Sequence, residues 1–522
     1  CALAGIAMSV VAALLIGPLV LRTREVYFLM ITLAIGEVLR NLAISWRSVT
    51  SGDDGISSIH LGTVAHVDLS SGRNFYFLVF IALCIVTLIM ALITNAPFGY
   101  VLRALRDNRS RAIVLGVAPF TLEMSAFAIS AALAGMAGVL FAYGKTFVAP
   151  NLLSVETSAQ VLLMVVVGGA GTLAGPIAGA TIVELSRGVG SLYTERWQII
   201  LGVLAVLIAL NSRKILLSSF RSLVEFKLGK QRGEANTFER GSLLAKSAAS
   251  LHHAPINIRP AVAASELSLG YKLDERALLT ARGIVKRFGG LTVLNGISLS
   301  LAAGERRGLI GPNGAGKTTF LNILSGIEAP TAGDLKYDEE DITSQPPSRR
   351  AQIGIGRTFQ IGNLFNDSTV RENILLALLA RQRYALRCGR SLSRYTALQQ
   401  EADELLEKWN LTDVSAAPVK LLAYGRRRVV EIVLALATRP RLLLLDEPAA
   451  GLTGAETKAI IQTIGALDPS LSILIVEHDM DLIFSVCDRI TVIANGQILA
   501  EGDRGEIRRN KQVIDAYLGM PL

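Results

Sequence analysis

The sequence predicts two unlike folded parts, a bundle of membrane-length helices followed by an α/β domain built around a parallel sheet. Three observations carry that prediction. Long apolar runs crowd residues 1–211 and then give way. A glycine-rich stretch, GPNGAGKT at 311–318, stands between the strand-like RRGLI and the helix-like TTFLNILSG. About 130 residues further on, the apolar run LLLLDEP (Leu442 to Pro448) ends in two acids.

The 522 residues are 51% hydrophobic and 18% charged, but the average hides a division. Residues 1–211 hold 12 basic and 10 acidic side chains, 212–277 hold 11 and 6, and 278–522 hold 29 and 27. The net charge of +9 therefore splits as +2, +5 and +2. The excess lies on a short middle segment and on neither folded part, which argues against a nucleic-acid-binding face. Two readings of it stay open: a basic stretch lying against anionic lipid headgroups, or a solvated linker. The four cysteines (Cys1, Cys84, Cys388, Cys487) have no CxxC or metal-ligand spacing, which points to neither disulfides nor zinc. The chain opens on Cys1 inside an apolar run with no charged region before it. It does not read as a signal peptide, and an incomplete start is expected.

A helix needs ~20 apolar residues to cross a bilayer core. The windows 1–21, 27–45, 75–94, 122–142, 155–185 and, more weakly, 198–211 approach or meet that length. Arg103, Arg106, Arg109 and Arg111 crowd the loop after the third window, and Arg213, Lys214, Arg221, Lys227, Lys230 and Arg232 follow the last. Both are expected on the cytoplasmic side. The loop from Trp46 to Asn74 carries Asp53, Asp54 and Asp68 against Arg47 and Arg73, and suits the outer side. Three windows then separate two cytoplasmic loops, an odd number. GGAGTLAGP (Gly168 to Pro176) breaks the 155–185 window. Two half-helices entering and leaving on one face would restore parity and lie near a transport pathway. A glycine-rich packing contact between two short helices is the other reading. Glu37 and Arg40, three apart in an apolar run, are expected to pair.

Residues 212–277 show no strong periodicity and read as a linker with one amphipathic helix at 214–228. His252 and His253 are read as linker residues rather than metal ligands.

GPNGAGKT matches GxxxxGK[ST] in its strand–loop–helix setting, so the domain from 278 onward is expected to bind ATP. Gly311, Pro312, Asn313, Gly314, Ala315 and Gly316 would wrap the phosphates at a helix N-terminus, together with Thr319, every one of them but Pro312 offering a backbone N–H. Lys317 would reach the β- and γ-phosphates, and the Thr318 hydroxyl would coordinate Mg²⁺. Asp446 would support the Mg²⁺ and Glu447 would polarise the attacking water. RITVIANGQILAEG reads as a strand–Asn-Gly–strand hairpin.

YFLMITLAIGEVLRN, FGYVLRALRDNRSRAIVLGV and VVVGGAGTLAGP resemble the permease subunits of branched-chain amino acid ABC importers over most of residues 22–211. The family's members carry further helices before this point. The resemblance makes Arg103 to Val117 a coupling helix that docks on an ATPase domain. Arg109 departs from the acidic residue common there. Residues 278–522 resemble the ABC ATPases, which implies a RecA-like core with an antiparallel β subdomain and a helical subdomain around 370–418. It also makes Gln360, in GRTFQ, the glutamine that contacts Mg²⁺ and senses the permease. His478, in IVEHD, would contact the γ-phosphate, and Phe288, in KRFGG, would stack on adenine. LAYGR (Leu422, Ala423, Tyr424, Gly425, Arg426) resembles the signature motif that completes the opposite site of a head-to-tail dimer. Arg426 stands where glutamine is usual, and Thr453, in AGLT, where Asp or Asn is usual. The ending VIDAYLG fits the same subfamily.

The resulting expectation is an incomplete permease at 1–211, a basic linker at 212–277 and an ABC ATPase at 278–522, in a multi-pass protein of the bacterial inner membrane with the ATPase domain cytoplasmic. It would import branched-chain or related hydrophobic amino acids with ATP and Mg²⁺. Its partners would be a second permease, a second ATPase, a periplasmic binding protein and membrane lipid, with no nucleic acid. Uptake of urea, amides or aromatic amino acids is an alternative, as is a regulatory or defunct ATPase fragment.

Overall fold

A computed structural model describes residues 2–23, 25–57, 59, 63–64, 67–68, 71–169, 171–193, 202, 274–358 and 364–518. The linker readings at 214–228, His252 and His253, and nearly all of the 198–211 window, lie outside them. The chain forms two compact units, one from 1–94 and 120–235, the other from 95–119 and 236–522.

The first unit is helical: α1 (Ala2–Val20), α2 (Glu25–Ser45) and α3 (Gly72–Asn95) precede a segment that belongs to the other unit. That segment holds α4 (Pro97–Asp107) and α5 (Arg109–Val114). The first unit resumes with α6 (Pro119–Lys145), α7 (Val155–Gly168) and α8 (Gly175–Tyr193). Among the described residues, α1, α2, α3 and α6 are long and apolar enough to cross a membrane. At 1.5 Å per residue the 14 residues of α7 reach only ~21 Å, short of a ~30 Å hydrocarbon core. The break predicted at Gly168–Pro176 is real. Gly168 lies against Gly175, and Gly179 against the Met164 carbonyl, so α7 and α8 run antiparallel. A Cβ on Gly168 would sit 1.8 Å from the Gly175 oxygen, which is why the turn demands glycine. Arg40 and Glu37 form the expected pair at 2.7 Å.

The second unit is α/β. Strands β1 (Asp274–Phe288), β2 (Leu291–Ala303) and β3 (Arg306–Ile310) lead into helix α9 (Lys317–Ser325). Then come β4 (Ala332–Tyr337), β5 (Glu340–Asp341) and β6 (Ile355–Arg357). Helices α10 (Val370–Arg381), α11 (Thr396–Lys408) and α12 (Tyr424–Ala437) form the helical part. The remainder is β7 (Leu442–Asp446), α13 (Gly454–Gly465), β8 (Ser472–Val476), α14 (Met480–Val486), β9 (Arg489–Ala494) and β10 (Gln497–Asp503). One sheet is antiparallel, in the order β2-β1-β4-β5. The other runs β6-β7-β8-β3-β9-β10 and is parallel except for its last strand. All five residues of β7 and of β8 are buried, as a parallel sheet covered on both faces requires. Leu299, Leu309, Phe320, Leu324, Leu335 and Leu444 belong to one core that joins the two sheets through α9. The Asn-Gly hairpin also appears: Asn495 and Gly496 both take positive φ (49° and 75°), the type I′ geometry between β9 and β10.

Candidate nucleotide site

The loop after β3 is shaped by backbone that only glycine supplies. A Cβ on Gly311 would meet the Ile493 oxygen at 2.0 Å, and one on Gly316 (φ 99°) the Leu294 side chain at 2.5 Å. Phe320, fully buried, anchors α9 in the core, so the helix N-terminus is held at the loop. The Lys317 ammonium is tucked across that loop, donating to the Gly311 oxygen at 2.7 Å and the Pro312 oxygen at 2.9 Å. Burial lowers its pKa, opposed by the nearby carboxylates of Glu447 and Asp446. Thr318 is exposed and Thr319 half-buried at the start of α9; Asn313 and Gly314 are open to solvent, while Pro312 is half-buried and Ala315 buried.

Asp446 ends β7 and is buried, because β6 and β8 flank that strand on both sides. Its Oδ2 accepts from Arg357 at 3.1 Å, while Oδ1 is buried without a hydrogen-bond partner. Burial raises the Asp446 pKa above the usual carboxylate range, against the pull of the Arg357 charge. Arg357, itself buried, also donates to the Ser325 hydroxyl at 2.7 Å, tying the end of α9 to β7. Glu447 takes a left-handed backbone conformation (φ 46°), a costly one for a residue with a side chain. Two contacts hold it there. Its N–H donates to the Val476 oxygen at 2.8 Å, and Arg428 donates to the carbonyls of Asp446, Glu447 and Pro448. The Glu447 carboxylate lies 3.4 Å from Nε2 of His478. Behind both, the buried Glu477 accepts from the N–H groups of Ala449 (2.7 Å) and His478 (2.8 Å), locking the two loops together.

Lys317, Asp446, Glu447 and His478 thus converge. Phe288, at the end of β1, is 48% exposed, with the Lys286 ammonium 4.8 Å from its ring centre. Leu422 and Gly425 are buried, Ala423 caps α12 and Tyr424 opens it, packing beside Gly451. Arg426 is bound to Asp413 at 2.5 Å. Thr453 caps α13 in a reciprocal pair with Glu456, a role for which its hydroxyl suffices. Gln360 lies outside the described residues. Reasoning from motifs missed Arg357, Arg428 and Glu477. Each sits within three residues of a recognised motif residue, and that adjacency was the available signal.

The segment 95–119 packs on this site from behind. Arg111 is fully buried and donates to the backbone oxygens of Arg357 (3.2 Å) and Glu431 (3.3 Å). Burial lowers its pKa to about 10. Gln352 donates to the Gly116 oxygen at 3.1 Å. Asn108 caps α5 by accepting from the Arg111 N–H.

A phosphate loop opening a helix, with buried strand-end acids beside it and a helical insert, defines an ATP-binding cassette. Comparison with known proteins agrees: residues 294–450 match the family described as ABC transporter. Residues 1–209 match the branched-chain amino acid transport system / permease component, and 497–519 the branched-chain amino acid ATP-binding cassette transporter. Over 47% of the chain and 98% of the relative, the sequence is 40% identical to the high-affinity branched-chain amino acid transport ATP-binding protein BraF of Pseudomonas aeruginosa. It is 39% identical to LivG of Escherichia coli over 46% of the chain and 98% of LivG. A solved nucleotide-free ATP-binding cassette from an ABC transporter, 30% identical, is covered in full by 47% of the chain with a TM-score of 0.42. The chain belongs to the branched-chain amino acid ABC transporter family, with permease and ATP-hydrolysing cassette in one polypeptide.

Proposed function

We propose that this chain is a fused permease–ATPase subunit that drives import of branched-chain or related hydrophobic amino acids across a bacterial inner membrane, with the ATPase domain cytoplasmic. The observation that carries the reading is Arg111. A loop strung between two membrane-length helices is built into the ATPase unit, against the backbone of the residue that pairs with Asp446. The names of the relatives support the substrate class. So does a cavity of about 1340 Å³ in the first unit, lined by Phe141, Leu152, Leu153, Gln160 and Met164 among others.

In this reading the loop from Gly311 to Gly316 and Lys317 bind the ATP phosphates, and Phe288 stacks on the base. The residues present fit Mg²⁺, since Asp446 offers a buried oxygen with no other partner and Thr318 an exposed hydroxyl. Gln360 would join them. Bound there with ATP, the ion would neutralise phosphate charge. Glu447 holds and polarises the attacking water, and His478, within reach of Glu447, contacts the γ-phosphate. A second ATPase would present its signature to this site and receive LAYGR in return. A second permease and a periplasmic binding protein complete the assembly.

The test is ATP-dependent uptake of labelled leucine by the reconstituted complex with its binding protein, with phenylalanine and urea as rival solutes. Leucine uptake lost in Lys317→Ala is expected. Uptake of a rival in preference to leucine would overturn the substrate, and failure of any solute to accumulate would overturn the importer.

A further inference from the structure

We propose that the exposed arginine segment Arg383–Arg394 is a binding surface for anionic phospholipid headgroups, holding the ATPase unit against the bilayer. It rests on α3 crossing a membrane and not on which solute is carried.

Between residues 381 and 400 the chain carries five arginines and no acid, in a domain whose charges otherwise nearly balance. Arg381 is committed to Glu401. Arg383, Arg387, Arg390 and Arg394 are exposed and make no ion pair among the described residues. Neighbouring arginines behave differently: Arg371, Arg439 and Arg441 are paired with Asp403, Glu401 and Asp338. Four unneutralised guanidinium groups in twelve residues repel one another, a cost that an anionic partner relieves.

Connectivity supplies the partner. The α3 span ends at Asn95, and three residues of chain reach at most ~11 Å. Phe98 therefore stays near the membrane boundary, and its N–H donates to the Arg387 oxygen at 3.2 Å. The segment carries what an interface favours: Leu386 is 50% exposed, and the Tyr384 ring lies 3.7 Å under the Arg387 guanidinium. On α4, Arg103 is exposed as well, while Arg106 is paired with Asp107 at 3.0 Å. Four or more basic residues next to a membrane span are the pattern that anionic lipid recognises, each contributing roughly a fivefold preference.

The test uses the full chain in nanodiscs of phosphatidylcholine doped with photoreactive phosphatidylglycerol or photoreactive phosphatidylcholine, with adducts mapped by peptide mass spectrometry. The phosphatidylglycerol probe should label residues 383–394 at least fivefold more than the phosphatidylcholine probe. The triple variant Arg383→Gln, Arg390→Gln, Arg394→Gln should lose that preference while labelling of α3 and α6 stays unchanged. The triple lysine variant should keep it. Equal labelling by both probes would overturn the proposal, as would no labelling of 383–394 while α3 is labelled, the outcome expected if a protein partner covers the segment.

Discussion

At the residue scale the cassette depends on two arginines behind its acids. Arg357 and Asp446 are both buried, so Arg357→Ala leaves a carboxylate without its counter-charge and should cost about 3–5 kcal/mol, read from thermal or denaturant unfolding. Burial already raises the Asp446 pKa, so this carboxyl takes up a proton at higher pH than an ordinary aspartate. Removing the positive neighbour with Arg357→Met should raise it further. The acid side of the ATPase pH profile should then move to higher pH, and an unmoved profile would show that the Arg357 charge does not tune Asp446. Glu447→Gln should retain ATP binding and lower turnover about 10²–10⁴-fold, whereas Lys317→Ala should weaken binding itself. Equilibrium ATP binding and steady-state turnover of the assembled complex separate the two. Lys317, Asp446 and Glu447 were legible because phosphate chemistry dictates both their types and their setting. Arg357 and Arg428 were not: three consecutive arginines at 426–428 look alike, and only the packing of α12 turns Arg428 onto the backbone behind the acids and Arg426 toward Asp413.

Among the elements, the apolar runs and the strand–loop–helix setting of the phosphate loop announced the two unlike parts, and Asn495-Gly496 announced its hairpin. The grouping of 95–119 with the ATPase unit followed only from the family resemblance, because α4 and α5 gain their partners from residues 246 to 320 positions away. Arg111→Ala should remove its hydrogen bonds to the Arg357 and Glu431 carbonyls and reduce transport more than ATPase activity, measured on the same proteoliposomes. Loss of both in proportion would assign Arg111 to stability alone. The short α7, packed on α8 through Gly168 and Gly179, fits a hairpin that enters and leaves on one face. A cysteine near Ser191 should then react with a membrane-impermeant thiol reagent in intact cells, and one near Asn108 should not. The reverse pattern would remove the hairpin reading.

At the scale of the whole molecule, a head-to-tail pair of ATPases makes two sites that need not be equal. In the proposed assembly this chain's loop, acids and His478 would complete one of them, while LAYGR would enter the other, with Arg426 bound to the half-exposed Asp413. Water reaches the Asp413 side of the pair, and a phosphate would compete with that carboxylate for the guanidinium. Unequal sites predict that Lys317→Ala costs far more transport than the matching lysine substitution in the partner ATPase, and equal losses would mean both sites matter alike. The burial of Arg111 also bears on biosynthesis. Its acceptors on Arg357 and Glu431 lie 246 and 320 residues downstream. At ribosomal speeds of 5–20 residues per second the first of them arrives roughly 12–50 s later. Through that interval the nascent loop is a lock without its key. Joining both on one polypeptide makes their meeting a first-order event, independent of how much free ATPase the cell holds.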